Sequence, residues 1–172
     1  MWKGLGVLFV LGGIAGILHS WVRLQKKRRK RLEEFIQFIH KSIYAMESEK
    51  VKIIDFFLQY QKKEDELLEY TLHEIANRLK ENTYAVGQSA WEEVFREKKQ
   101  EWMQQEEVFQ GILQTGKGFF GRSVQENTSV LQKNLQELER LKLECKKKEI
   151  QERKVWIPVG MLGGMMIIIL FI

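Results

Sequence analysis

The last eighteen residues, 155–172, read VWIPVGMLGGMMIIILFI and contain no charged side chain. A helix rises about 1.5 Å per residue, so this stretch would be about 27 Å long, close to the roughly 30 Å hydrocarbon core of a bilayer. A buried C-terminal core helix is the alternative, but such a helix has a polar face, and this stretch has none. Residues 155–172 therefore predict a transmembrane helix.

A second apolar run covers residues 1–22 and predicts another transmembrane helix. A secretory signal peptide is the alternative, but it would carry its positive charge before the apolar region. Here one lysine lies near the start of the run, whereas seven cations follow it within residues 23–31. Because cations hold a flank in the cytoplasm, we predict that Met1 faces outside and that residue 23 onward is cytoplasmic.

Both predicted spans adjoin basic segments. Residues 23–31 form a basic juxtamembrane segment, and residues 146–154 carry five cations and two carboxylates. The second span then runs from inside to outside, which predicts a two-pass cell-membrane protein with both termini outside. The side chains expected at the membrane surface, near anionic headgroups, are Lys26, Lys27, Arg28, Arg29, Lys30, Arg31, Lys146, Lys147 and Lys148.

The segment between the basic flanks has the opposite charge. Residues 32–145 contain 15 cations and 21 carboxylates, although the whole chain has a net charge of +5. An acidic domain argues against nucleic acid as its partner. The single cysteine, Cys145, cannot form a disulfide within the chain, which fits a reducing compartment.

Residues 32–154 predict an all-α cytoplasmic domain. They contain no proline and are rich in Glu, Lys, Gln and Leu, with apolar residues at helical spacing. We predict an antiparallel bundle of five to six helices, the fifth running roughly from Trp102 to Leu113. Ser123 and Glu126 form the capping-box sequence Ser-x-x-Glu, which predicts the start of the last helix.

Two motifs resemble those of enzymes. Gly116, Gly118 and Gly121 have the spacing GxGxxG, but a dinucleotide site needs a preceding strand, so we interpret them as a turn whose glycines take positive φ. Residues 73–77 read HEIAN and lack the second histidine of a zinc-protease motif, so His73 is expected to be a surface or half-buried residue. We predict no catalytic residue, cofactor, metal ion or small-molecule substrate.

Two glycine pairs lie in the predicted spans. Gly12 and Gly16, and likewise Gly160 and Gly164, are four residues apart, a spacing that lets membrane helices approach closely. We consider packing of the spans against each other or against partners. The alternative is that glycine is simply common in membrane helices.

The chain resembles the stage III sporulation protein AB family. The resemblance rests on the glycine-rich stretch 116–121, the Ser-led and Gln-rich helix after it, Ala90-Trp91 at the start of a helix, and the glycine-containing terminal span. Where the family usually has a loop with proline, residues 47–50 read ESEK. The resemblance implies kinship with F-type platform proteins of type II secretion and type IV pili. It also implies a place in the mother-cell membrane around the forespore, beside other membrane subunits and a secretion-type ATPase.

These observations lead to two hypotheses of different classes. The first is a non-enzymatic membrane-platform subunit of a sporulation transport complex. The second is a membrane-tethered, self-assembling coiled-coil scaffold, which would need a sustained heptad repeat. One heptad position of the last helix carries Val124, Leu131, Leu138 and Cys145, but the other is interrupted by Thr128, Lys142 and Glu149. That pattern favours a bundle.

Overall fold

The structure, a computed structural model, describes the backbone of residues 2–49, 51–61, 66–81, 87–121 and 123–171. The side chains of residues 2–11, 14–15, 156–157, 161, 167–168 and 170–171 lie outside this description. All the regular secondary structure in these ranges is helical, which confirms the all-α prediction.

The described chain forms seven α-helices and one π-helical turn. They are α1 (Trp2–Tyr44), the π-helical turn (Ala45–Glu49), α2 (Ile53–Gln59), α3 (Glu66–Lys80), α4 (Gly87–Glu97), α5 (Lys99–Trp102), α6 (Glu106–Phe119) and α7 (Val124–Phe171). The chain divides into two compact units. The terminal unit comprises Met1–Arg29 and Leu143–Ile172, and the bundle unit comprises Lys30–Lys142.

Aromatic side chains fill the core of the bundle unit. Within this unit, α3 packs against α2 and α4, and α4 also packs against α5 and α6. Phe35 of α1 is fully buried, and its ring centroid lies 6.0 Å from those of Phe95 and Trp102. Both pairs meet edge to face, a favoured arrangement of aromatic rings. The indole N–H of Trp91 donates to the carbonyl of Ile112 at 3.1 Å, which ties α4 to α6.

Gly116 and Gly118 belong to α6, so the predicted glycine turn is wrong for these two residues. No described glycine has a positive φ. The reason for glycine is close packing between helices. A Cβ on Gly116 would lie 2.6 Å from Cδ1 of Trp91, and one on Gly118 would lie 2.6 Å from Cγ of Leu131.

Two other helix boundaries test the predictions. The fifth helix was predicted to start near Trp102, but Trp102 is the last residue of the separate four-residue helix α5. The helix that contains Leu113 is α6, and it begins at Glu106. At the start of α7, the N-cap prediction is confirmed: the hydroxyl of Ser123 accepts a hydrogen bond from the backbone N–H of Glu126 at 3.2 Å.

The terminal unit contains the residues predicted to span the membrane. Over the residues that the structure describes, no helix offers a stretch both long enough and apolar enough to cross a membrane. Many side chains of the two predicted spans, together with Met1 and Ile172, lie outside the described residues. The spans over 1–22 and 155–172 stay predictions.

Candidate interaction surfaces

The predicted membrane-surface cations differ in their exposure. Two of them, Arg28 and Arg29, are half-buried, and Arg31 is buried. The exposed ones are Lys26, Lys27, Lys30, Lys146, Lys147 and Lys148. The structure therefore leaves most of this set accessible, while their role at a membrane stays a prediction.

Arg31 belongs to the bundle unit instead of an exposed basic surface. It is only 8% exposed, and its Nη1 donates to the backbone carbonyl of Glu101 in α5. Carbonyls in the last turn of a helix have no partner within that helix, so a guanidinium is a suitable donor for them. Arg31 thus joins α1 to α5, and its role at a membrane surface stays a prediction.

A cavity of about 220 Å³ lies in the terminal unit, between α1 and α7. Its wall includes Trp21 and Arg29 from α1, and Glu149 and Arg153 from α7. The Nη1 atom of Arg29 lies 4.0 Å from Oε2 of Glu149. Burial is the largest influence on the Glu149 carboxyl and raises its pKa, and the nearby charge of Glu152 acts in the same direction. The charges of Arg29 and Arg153 lower this pKa, but they are too weak to compensate, so the pKa stays above its ordinary value.

The glycines of the predicted spans lie in different surroundings. Gly12 and Gly16 are exposed, and no described atom outside their own helix lies within 4 Å of the position that a Cβ would take. Gly160 is half-buried and Gly164 is buried. Close helix packing at these four positions stays a prediction.

A network of ion pairs joins α3 to α4 in the bundle unit. Glu74 lies 2.7 Å from Nζ of Lys98 and 2.6 Å from Nη2 of Arg78, which also lies 2.6 Å from Glu97. Burial, the largest single influence, acts to raise the pKa of Glu74, but hydrogen bonds and charges from Lys98 and Arg78 together outweigh it and lower that pKa. The glutamate of the incomplete zinc-protease motif is therefore an ion-pair partner between helices.

The histidine of the same motif is half-buried, and among the residues that the structure describes its Nε2 atom has no hydrogen-bond partner. This position agrees with the prediction of a surface or half-buried His73. Across the described ranges, no three His, Cys, Asp or Glu side chains converge closely enough to hold a metal ion.

The connection from α5 to α6 exposes an apolar side chain in an unusual backbone conformation. Met103 has φ of 54°, in the left-handed region, and is 38% exposed. Before Met103, the buried Trp102 anchors the chain in the aromatic core. An ion pair also spans the connection, with Nζ of Lys99 lying 2.8 Å from Oε2 of Glu106. We call residues 99–107 the Met103 turn.

Sequence reasoning missed the Met103 turn. The signal available was weak, because methionine is not a residue that favours the left-handed region. The turn also carries three exposed carboxylates, at Glu101, Glu106 and Glu107. A strained residue held by a buried anchor is a feature often found at sites of function. The turn is therefore the strongest candidate contact surface of the bundle unit.

Together, these observations describe an all-helical protein in which ion pairs join neighbouring helices of the bundle unit. The family model of stage III sporulation protein AB matches residues 3–172, and the chain belongs to that family. This match confirms the resemblance seen in the sequence and identifies a sporulation-associated protein. No curated protein and no solved structure matches the chain.

Proposed function

We propose that this protein is a non-enzymatic membrane-platform subunit of a sporulation transport complex. It is held in the membrane by residues 1–22 and 155–172, and it presents the bundle unit to a secretion-type ATPase and to other membrane subunits. The proposal is carried by one observation: basic segments border both predicted spans, whereas residues 32–145 are acidic, with 21 carboxylates and 15 cations.

The opposite charges suit two different contacts. Cations beside a membrane helix are attracted to anionic headgroups, and this attraction keeps the basic segments, and the bundle unit that they border, on the cytoplasmic side. An acidic surface is complementary to a basic protein surface and speeds the encounter with it. In this arrangement the Met103 turn offers one exposed apolar side chain beside the exposed carboxylates of Glu101 and Glu107, while Glu106 pairs with Lys99.

The test is recovery of partners by the full-length chain. A tagged chain is extracted in mild detergent from sporulating cells, and the proteins that co-purify are identified. We expect a secretion-type ATPase or other membrane subunits of the complex. Reversing two charges of the Met103 turn, with Glu101→Lys and Glu107→Lys, should reduce that recovery severalfold, since a charge pair across an interface then becomes a repulsion.

A matched control reverses two charges elsewhere on the bundle unit. Glu47 and Glu49 are exposed in the π-helical turn, and the double change Glu47→Lys with Glu49→Lys alters the net charge by the same amount. Equal losses in both double variants would show that overall charge matters and the Met103 turn does not. Extraction of the wild-type chain without detergent would contradict the membrane-platform proposal itself.

Self-assembly is the second candidate function, and two exposed side chains favour it. Leu143 is 60% exposed and Ile150 is 48% exposed, and they lie seven residues apart on α7. A heptad spacing places both on one helix face, where a second copy of the chain could pack. Measuring the mass of the purified full-length chain in detergent tests this: a stable oligomer that Leu143→Glu dissociates would favour the scaffold.

A further inference from the structure

We propose that the cavity between α1 and α7 in the terminal unit is a binding site for the phosphate group of an anionic phospholipid, with Lys26, Arg29 and Arg153 as its cationic ligands. The inference rests on the membrane attachment proposed above and goes beyond it. General attraction of a basic segment to a membrane needs no cavity, whereas this site would hold one headgroup in a defined place.

The spacing of the residues shows how the cavity is built. Trp21, Gln25 and Arg29 recur every four residues on α1 and line one side. Glu149 and Arg153 are also four residues apart, and they line the side formed by α7. The two helix faces therefore border a partly open cavity of about 220 Å³, enough for a phosphate and part of its glycerol.

The cavity changes character along α1. Trp21 and Val22 lie at the end of the predicted span, whereas Lys26 and Arg29 follow it by one and two turns. Trp21 and Arg29 are eight positions apart, which is about 12 Å along a helix. An apolar and aromatic end next to a cationic end matches a phospholipid, whose acyl chains adjoin its phosphate, and basic pockets between membrane helices bind such headgroups.

The charges of the wall also favour an anion. Three cations face one carboxylate, that of Glu149. Oε2 of this carboxylate lies 4.0 Å from Nη1 of Arg29, a distance too long for a hydrogen bond. Arg29 can thus turn its guanidinium to a phosphate, with which it forms shorter and bidentate hydrogen bonds.

Glu149 is the one group of the wall that opposes an anion. Its side chain is 19% exposed, and burial disfavours its charged form, as the raised pKa of this carboxyl indicates. A phosphate in the cavity would interact unfavourably with the charged carboxylate. Removing this charge should therefore strengthen phosphate binding, a gain that a misfolded variant would not produce.

The experiment measures lipid retained by the full-length chain in a nonionic detergent. The chain is titrated with phosphatidylglycerol, and bound lipid is counted by native mass spectrometry. We expect Lys26→Gln and Arg153→Gln each to weaken binding on the order of tenfold, since each removes a charge-assisted contact to phosphate. Glu149→Gln should strengthen binding severalfold. Phosphatidylcholine, which carries no net charge, should bind more weakly than phosphatidylglycerol.

Two controls separate the cavity from diffuse attraction. Lys27→Gln and Lys147→Gln remove exposed cations of the same segments that do not line the cavity, and they should change binding by about twofold or less. Weakening by these controls as large as that by Lys26→Gln would overturn the site. Far-UV circular dichroism of every variant checks that its helices are intact.

A third arm distinguishes a lipid from a free phosphate compound. Soluble glycerol phosphate is added as competitor; failure to displace the lipid at equal concentration supports a lipid site, and equal displacement overturns it. Flotation with vesicles separates this inference from the proposed function. If the chain fails to float with vesicles of any composition, membrane attachment is refuted. If the chain floats but its cavity variants bind lipid as tightly as wild type, only the site is refuted.

Discussion

At the scale of single residues, the absent side chain of Gly116 is what lets α6 approach α4. Trp91 is fully buried, and the position of a Gly116 Cβ would lie 2.6 Å from its Cδ1 atom. The indole cannot retreat easily, because its N–H is held by the carbonyl of Ile112. The α4–α6 contact therefore depends on glycine at this position.

We expect Gly116→Ala to destabilise the bundle unit by about 1–3 kcal/mol, the usual cost of overpacking a core. The neighbouring Lys117 is exposed on the same helix, so Lys117→Ala is the matched control and should change stability by about 0.5 kcal/mol or less. Urea unfolding followed by circular dichroism gives both free energies of unfolding. Equal stability of the two variants would contradict close packing at Gly116.

The pairing of Glu74 predicts a pH dependence. The pKa of this carboxyl is lowered from its ordinary value of 4.5 in the folded protein. The unfolded chain therefore binds the proton more readily, so this contribution to stability is fully present above about pH 4.5 and is lost as the pH falls through the lower, folded pKa.

Glu74→Gln should accordingly lower stability at pH 7 by about 1–2 kcal/mol, because Lys98, which is only 8% exposed, loses a charged partner. The difference in the free energy of unfolding between wild type and Glu74→Gln should shrink as the pH falls below 4.5. Thermal unfolding measured across this range is the test. Glu93→Gln, at an exposed position of α4, is the control, and a similar effect there would contradict the assigned pairing.

At the scale of elements, the start of α7 depends on its cap. Ser123→Ala removes the hydroxyl that accepts from the N–H of Glu126, and the expected cost is about 1 kcal/mol. Ser123→Asp keeps an acceptor and places a negative charge at the helix N-terminus, so it should retain wild-type stability. Chemical denaturation compares the three chains; an unstable aspartate variant would refute a capping role.

Helix starts and ends were predictable where local chemistry determines them, and less so where tertiary packing does. The Ser-x-x-Glu sequence predicted the N-terminus of α7, and the helical spacing of apolar residues predicted that the domain is all-helical. The turn predicted at Gly116 and Gly118 was wrong because glycine is common both in turns and where two helices pack closely. Only a residue distant in sequence, such as Trp91 beside Gly116, distinguishes these two uses.

The candidate surfaces were harder to predict than the fold. Arg31 lies in a run of cations, and nothing local distinguishes it from Lys30, yet its guanidinium reaches the carbonyl of Glu101 seventy positions away in the chain. The Met103 turn likewise depends on a tertiary anchor, Trp102. Such long-range contacts leave no periodic signal in the sequence.

At the scale of the whole molecule, the proposed topology makes a prediction about chemical labelling. In a Cys145→Ser background, a cysteine at the exposed position Ser129 should react with a membrane-impermeant maleimide only in inverted vesicles, where the cytoplasmic face is outward. A cysteine in a short polar tag after Ile172 should react only in right-side-out vesicles. Labelling of both cysteines from the same side would contradict two spans.

The burial of the bundle's tryptophans gives this protein an optical reporter of its own. Trp91 is 0% exposed and Trp102 is 1% exposed, and both lie among other aromatic rings. Indoles in such dry surroundings emit at shorter wavelengths than indoles in water. In a chain whose other three tryptophans, Trp2, Trp21 and Trp156, are replaced by phenylalanine, a red shift of the fluorescence would therefore report loosening of the aromatic core during assembly without any attached dye.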